Sequence, residues 1–233
     1  MALKVESRSS DSPYIERVWR SRSDEVSRMT SVATAHWDLV FWEHRGQVNV
    51  AVQGPESRAS PAPVPQDATF FGIIFSLGMS MPHIPISRLV DGSAEIPDAT
   101  RRSFWLKGSA WHLPDYDNAE AFVRRMVRED VLVRDPIVDA VLRGASPDVS
   151  ERTVQRRFVA ATGLTRGAVR QIGRARRAAV LIQEGVPPHD VIHRLGYFDQ
   201  SHLARSLTRY IGRTAMQLID GDPSQPLSLL YKT

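Results

Sequence analysis

The sequence predicts an α+β fold in which a mainly β segment, residues 14–118, precedes an all-helical one, residues 119–233. Three observations predict it. Apolar and polar residues alternate through the first half between Gly and Pro clusters, the pattern of half-buried strands. From Ala119 onward apolar residues recur instead at three and four positions, with capping residues ahead of the runs and glycines behind them. The charge is also divided: residues 150–219 hold 12 Arg, no Lys and 4 acids (Glu151, Glu184, Asp190, Asp199), a net +8, whereas the rest of the chain sums to −4.

Length and composition set the frame. At 233 residues, two modest domains are the better prior, and 42% hydrophobic with 24% charged residues is the balance of a globular protein. The absence of cysteine excludes disulfides, thiolate zinc sites, thiol nucleophiles and iron–sulfur clusters. No apolar run approaches the roughly 18 residues of a membrane helix, and MALKVESRSS lacks the apolar core of a secretory signal. The expectation is a cytoplasmic protein with no membrane partner.

Within the first segment, the polar, Ser-rich first dozen residues are expected to be disordered, with order beginning near Tyr14. HWDLVFWEH from His36, the turn Arg45-Gly46 and QVNVAVQG read as a hairpin. Pro61, Pro63 and Pro65 form a loop incompatible with a central strand, TFFGIIFSLG is a further strand, and MPHIPIS breaks regular structure again. Trp37, Trp42, Trp105, Trp111 and the Phe70-Phe71-Phe75 cluster either fill an ordinary core, the commoner use, or line an apolar effector pocket. His36, Asp38 and His44 share a strand face but Glu43 points to the other, so they give no tight metal-ligand set. His83 and His112 sit beside prolines in loops or at edges. Ser103, Ser109 and Asp115 lack a G-x-S-x-G nucleophile motif, and no Gly-rich phosphate loop is present. No enzyme, cofactor or metal is therefore expected.

The second segment reads as a series of helices. Ala119 to Arg134 has helical spacing, with Ala121, Phe122, Met126 and Val127 on or near one face. Asp135-Pro136 is an N-cap followed by a proline at the first helical position, and Gly144 is a stop. Ser150, between Val149 and Val154, caps a second helix that Gly163 ends, with Val154, Phe158 and Ala161 inward and Arg152, Thr153, Gln155, Arg156 and Ala160 outward. A longer helix runs from the cap Thr165 to Glu184, with Val169, Ile172, Ala175, Ala179 and Ile182 apolar and Arg166, Arg170, Arg174 and Arg177 positive. Glycines 167 and 173 weaken it by about 1 kcal/mol each. Pro187-Pro188 then opens a short helix through Leu195, Gly196-Tyr197-Phe198 turns, and Asp199 caps a last reading-type helix that Gly212 stops.

The helical segment thus contains two helix-turn-helix units joined by a long helix, and in such units the second helix enters the DNA major groove by its N-terminal residues. Arg pairs bidentately with guanine and Gln with adenine. With Leu203, Leu207 and Ile211 inward, Gln200, Ser201, His202 and Arg205 are candidate base readers, although His202 serves equally well by packing beside the groove. Arg209 and Arg213 suit phosphates. A linker of about 20 residues is roughly 30 Å long, close to the roughly 34 Å of one DNA turn.

LGYFDQSHLARSLTRYIGRTAMQLI, Leu195 to Ile219, resembles the second helix-turn-helix signature of the AraC/XylS family; VSERTVQRRFVAATGLT, Val149 to Thr165, resembles its first, and RARRAAVLIQEG, Arg174 to Gly185, the end of its connecting helix. The resemblance implies sequence-specific binding of double-stranded DNA in transcription regulation, with base contacts at Arg152, Gln155 and Arg156 and at Gln200, Ser201 and Arg205. Ala215 departs from it, since the family usually has Pro there, as does Leu207, where Phe is common. For residues 14–118 the match is weaker and implies an effector-binding or dimerising domain, hence a small-molecule effector or a homodimer. The rivals are an enzyme or ligand carrier in the β segment that uses the basic helices for recruitment, and a binder of nucleic acid without sequence preference.

Overall fold

The computed structural model describes residues 4–24, 28–221 and 226–228. Twelve strands and seven α-helices follow one another among them, the strands almost wholly before the helices. Those before the first helix are β1 (Lys4–Ser9), β2 (Ile15–Ser23), β3 (Arg28–Ser31), β4 (Asp38–His44), β5 (Gln47–Gln53), β6 (Ser60–Pro63), β7 (Ala68–Phe75), β8 (Met79–Ser80), β9 (Ser93–Ile96), β10 (Ser103–Leu106) and β11 (Ser109–His112). Six of them make one antiparallel sheet in the order β1-β2-β7-β4-β5-β9.

The expected hairpin is β4 and β5, paired from Asp38↔Gln53 to His44↔Gln47 around Arg45-Gly46. The expected strand at TFFGIIF is β7, and it lies centrally between β2 and β4. The prolines at 61 and 63 do lie in a strand, β6, but one paired only with β3 as a separate two-stranded ribbon, where a missing N–H does not interrupt a central ladder.

The expected disorder before Tyr14 is overturned. Lys4 to Ser9 pair residue by residue with Arg22 to Arg17. Arg8 then ties the edge strand down, donating from Nη2 to the Glu120 carboxylate at 2.9 Å and to the Tyr116 carbonyl at 2.6 Å. A polar strand escapes hydropathy reading because pairing and charge hold it instead of apolar burial.

Because side chains alternate across a strand, the sheet has two faces with different work. Leu39, Phe41, Val50, Val52, Ile73, Phe75 and Ile96 fill the core on one face, together with Phe104 and Trp111 of the β10–β11 hairpin. This core is closed by α1 (Ala119–Arg128), through Val123 and Met126. The helix expected over 119–134 stops at Arg128; Asp130 takes a positive φ, and β12 (Val133–Arg134) pairs with β8. Its buried face is Ala119, Val123 and Met126, with Phe122 and Val127 half-buried and Ala121 exposed. The opposite sheet face carries Trp19, Phe70, Ile74, Asp38, Val40, Trp42 and Ala51 and lines a cavity.

The remaining helices are α2 (Pro136–Leu142), α3 (Glu151–Thr162), α4 (Arg166–Gln183), α5 (Pro188–Leu195), α6 (Gln200–Tyr210) and α7 (Ala215–Asp220). Ile172, Ala175, Ala178, Ala179 and Ile182 of α4 form the spine of their core, with Val191, Leu203, Leu207, Tyr210 and Leu218 around it. Val32, Ala33 and Ala35 join the same core from the strand-rich segment. None of these helices is long and apolar enough to cross a membrane.

Backbone hydrogen bonds reinforce the junction. The last carbonyls of an α-helix have no partner within it. At the end of α6 two of them find one outside: Ala59 N–H donates to Arg209 O at 2.9 Å and Ala33 N–H to Tyr210 O at 2.8 Å. The Arg176 guanidinium returns a bond to Ala33 O at 3.0 Å. Thr30 and Pro226 to Ser228 form a further short parallel bridge.

Candidate nucleic-acid interface

Local sequence determines where each candidate reading helix begins. Asp135 caps α2 by accepting from Ile137 N–H and Val138 N–H, and Ser150 caps α3 by accepting from Thr153 N–H. Phe158 and Ala161 of α3 pack on Val138 of α2, which leaves Arg152, Gln155 and Arg156 exposed on the other side. Thr153 is half-buried, its hydroxyl 3.0 Å from that of Ser150. The unit is anchored behind by Asp139, buried between Arg134 and Arg143.

The second unit repeats the plan. Pro188 stands in the first turn of α5, Gly196 ends it in the left-handed region, and Asp199 caps α6 by accepting from His202 N–H at 2.6 Å. Leu203 and Leu207 face inward, and Gln200, Ser201, Arg205 and Arg209 are exposed. His202 is half-buried: Phe198 N–H donates to its Nδ1 at 3.4 Å, Arg174 lies 3.5 Å from its Nε2, and its ring stands edge-on to Tyr197. Arg209 extends beside the Tyr210 ring, and Arg213 donates to Gly212 O. Despite Ala215, α7 starts normally because Thr214 and Gln217 form a reciprocal capping box.

The connecting helix α4 is continuous over its 18 residues through Gly167 and Gly173, with Thr165 as its cap. It reaches both units. Arg166 pairs with Glu151 at the start of α3, Gln171 accepts from the Tyr210 hydroxyl at 2.7 Å, and Arg174 stacks on Tyr197 while donating to Gly196 O. Burial raises the Tyr197 hydroxyl above its ordinary range, with the Ser206 hydroxyl bond opposing it.

Two features here were not read from the sequence. Phe198 is 91% exposed, in the turn directly before α6. Arg176 is buried, although its neighbours Arg170 and Arg177 are exposed. The signal for Arg176 is its spacing: it lies four residues after Ile172 and three before Ala179, on the apolar stripe itself.

Arg176 also reaches the second notable site, a cavity of about 670 Å³ between the sheet face described above and the β3–β6 ribbon. Trp42 and Phe70 of the expected aromatic pocket do line it, and so does Trp19. Trp37, Trp111 and Phe75 fill the core instead, Trp37 stacking on Phe75 at 4.1 Å, and Trp105 is exposed. The Trp19 indole covers Gly72 on the intervening strand, and it favours the ionised form of the Asp38 carboxyl two strands away. Burial pushes that carboxyl up to about 7, and the negative charge of Glu56 adds to the rise. Glu56 is also raised by burial, opposed by the hydroxyl of Ser31, which donates to it at 2.7 Å. His36 donates from Nδ1 to Phe75 O, and burial lowers its imidazole. No cluster of three or more His, Cys, Asp or Glu suited to a metal exists among the described residues.

Compared with known proteins, residues 146–220 match the model of a family described as a helix-turn-helix domain, of the AraC type. No curated protein and no solved structure matches the chain.

Proposed function

We propose that the chain is a DNA-binding transcription regulator that reads two successive major grooves through its C-terminal helix-turn-helix domain, under the control of a small-molecule effector. The supporting observation is the pairing of two capped helices, α3 and α6, whose exposed N-terminal residues flank one continuous connecting helix. At about 1.5 Å per residue, the 18 residues of α4 span roughly 27 Å, near the roughly 34 Å pitch of DNA.

In this proposal Arg152, Gln155 and Arg156 read one groove and Gln200, Ser201 and Arg205 the next, because their bidentate side chains match base edges. Thr153 and Arg209 approach phosphates. His202 orients the start of α6, since both of its ring nitrogens face protein groups. Residues 14–118 bind the effector and residues 119–233 bind DNA; the strand-rich part has a binding role and no catalytic one.

The test compares Arg156→Ala and Arg205→Ala on a bound duplex and on its single-base variants. Each substitution should cost about 1 to 3 kcal/mol and relax discrimination at one base pair. Equal loss on every duplex, with a shallower salt dependence, would assign that side chain to a phosphate.

A further inference from the structure

The cavity has apolar walls and an excess of acidic over basic side chains. Trp19, Val40, Trp42, Phe70 and Ile74 line it, and its acids, Asp38, Glu56 and Glu95, outnumber its single arginine, Arg176. Arg176 is already bonded to Ala33 O, and its charge acts on Glu56 and His36. The charge that acts on Asp38 is the like charge of Glu56. Two carboxyl groups placed together in an aromatic cavity are mutually unfavourable when ionised, and an incoming cation relieves both.

We propose that this cavity binds an organic cation with an aromatic or aliphatic body, its charge held by Asp38 and Glu56 and its body lying against Trp19, Trp42 and Phe70. Aromatic faces attract such a cation beyond simple burial, most strongly at Trp. A volume of about 670 Å³ suits a small organic molecule. The proposal names the effector class for the regulatory role above and rests on that role only for its consequence. Thr34, Glu56 and Arg176 line the cavity, and the Ala33 that Arg176 bonds also caps α6. A cation beside Glu56 competes with Arg176 for the same carboxylate, so it acts directly on the junction with the DNA-binding helices.

Calorimetric titration of the full-length protein, without DNA, tests this with matched probes: 1-naphthylmethylammonium, the neutral 1-naphthylmethanol and the anionic 1-naphthylacetate. The ammonium should bind one per chain, at least tenfold more tightly than either of the others, and Asp38→Asn should remove that preference. Arg176→Met should leave ammonium binding intact or tighter. Preference for the anion, loss of its binding in Arg176→Met, or ammonium binding that is absent or indifferent to Asp38→Asn would overturn the proposal. Because DNA takes no part, failure here leaves the DNA-reading proposal standing, and a failure to find a DNA site leaves this result intact.

Discussion

At the scale of single residues, two carboxyl groups with opposite shifts make opposite predictions. Asp38 keeps its proton in the folded chain up to about pH 7, whereas an unfolded aspartate loses it near 4. The folded state therefore binds more protons across that window, and stability falls as pH rises through it. Asp38→Asn lacks this cost, so its Tm should exceed the parent's by several degrees at pH 8 and the gain should shrink steadily towards pH 4. An equal gain at both ends would mean that ionisation is not its source. Glu120 is the reverse case, held at about 2 chiefly by its hydrogen bond from Arg8. Its contribution is complete above about 4.5 and is lost as pH falls towards 2. Glu120→Gln should therefore lower stability by about 1 to 2 kcal/mol at pH 7 in denaturant melts and by little at pH 2.

At the scale of elements, close approach matters most at two glycines. A Cβ on Gly72 would lie 2.3 Å from the Trp19 ring, so Gly72→Ala must displace the indole that lines the cavity. It should destabilise by about 1 to 3 kcal/mol and weaken ligand binding in the cavity, both measurable on the purified variant. Gly212, at φ +74° beyond α6, would bring a Cβ within 2.9 Å of Thr30 and 3.1 Å of Ala59. Gly212→Ala should loosen the junction there, seen as faster amide exchange at Ala33 and Ala59 with little change at the sheet's centre.

The same scale explains what the sequence disclosed. The helices of the second segment were legible because their signals are local: Asp135, Ser150, Thr165 and Asp199 each accept the cap bond their position implies. The hairpin 38–53 was legible from alternation and its Gly turn. The strand at Lys4–Ser9 was hidden because its support is a neighbouring strand and a carboxylate 112 residues away. The cavity was hidden for the same reason: Trp19, Asp38, Glu56 and Arg176 come together only through the sheet's order and the docking of α4. Sequence spacing put His36, Asp38 and His44 on one strand face, but did not show what covers it.

At the scale of the whole molecule, the strand-rich part touches the ends of both candidate reading helices. Ala33 and Ala59 cap α6, while Gly163, at the end of α3, lies against Val90 and Pro55. Connections of the strand-rich part thus contact the C-terminal ends of two helices whose relative placement decides whether two grooves can be read together. The cavity and the helix junction adjoin, since Ser31, Val32 and Thr34 line the one and their neighbour Ala33 caps α6. The central claim is that one chain reads two grooves in register. Its most direct test is selection from a random duplex library by the full-length protein at about 0.15 M salt, where weak phosphate-only binding is suppressed. Enrichment of a motif with two blocks about one helical turn apart is the expected result; a single block, or no enrichment both with and without the naphthyl ammonium probe, would contradict it.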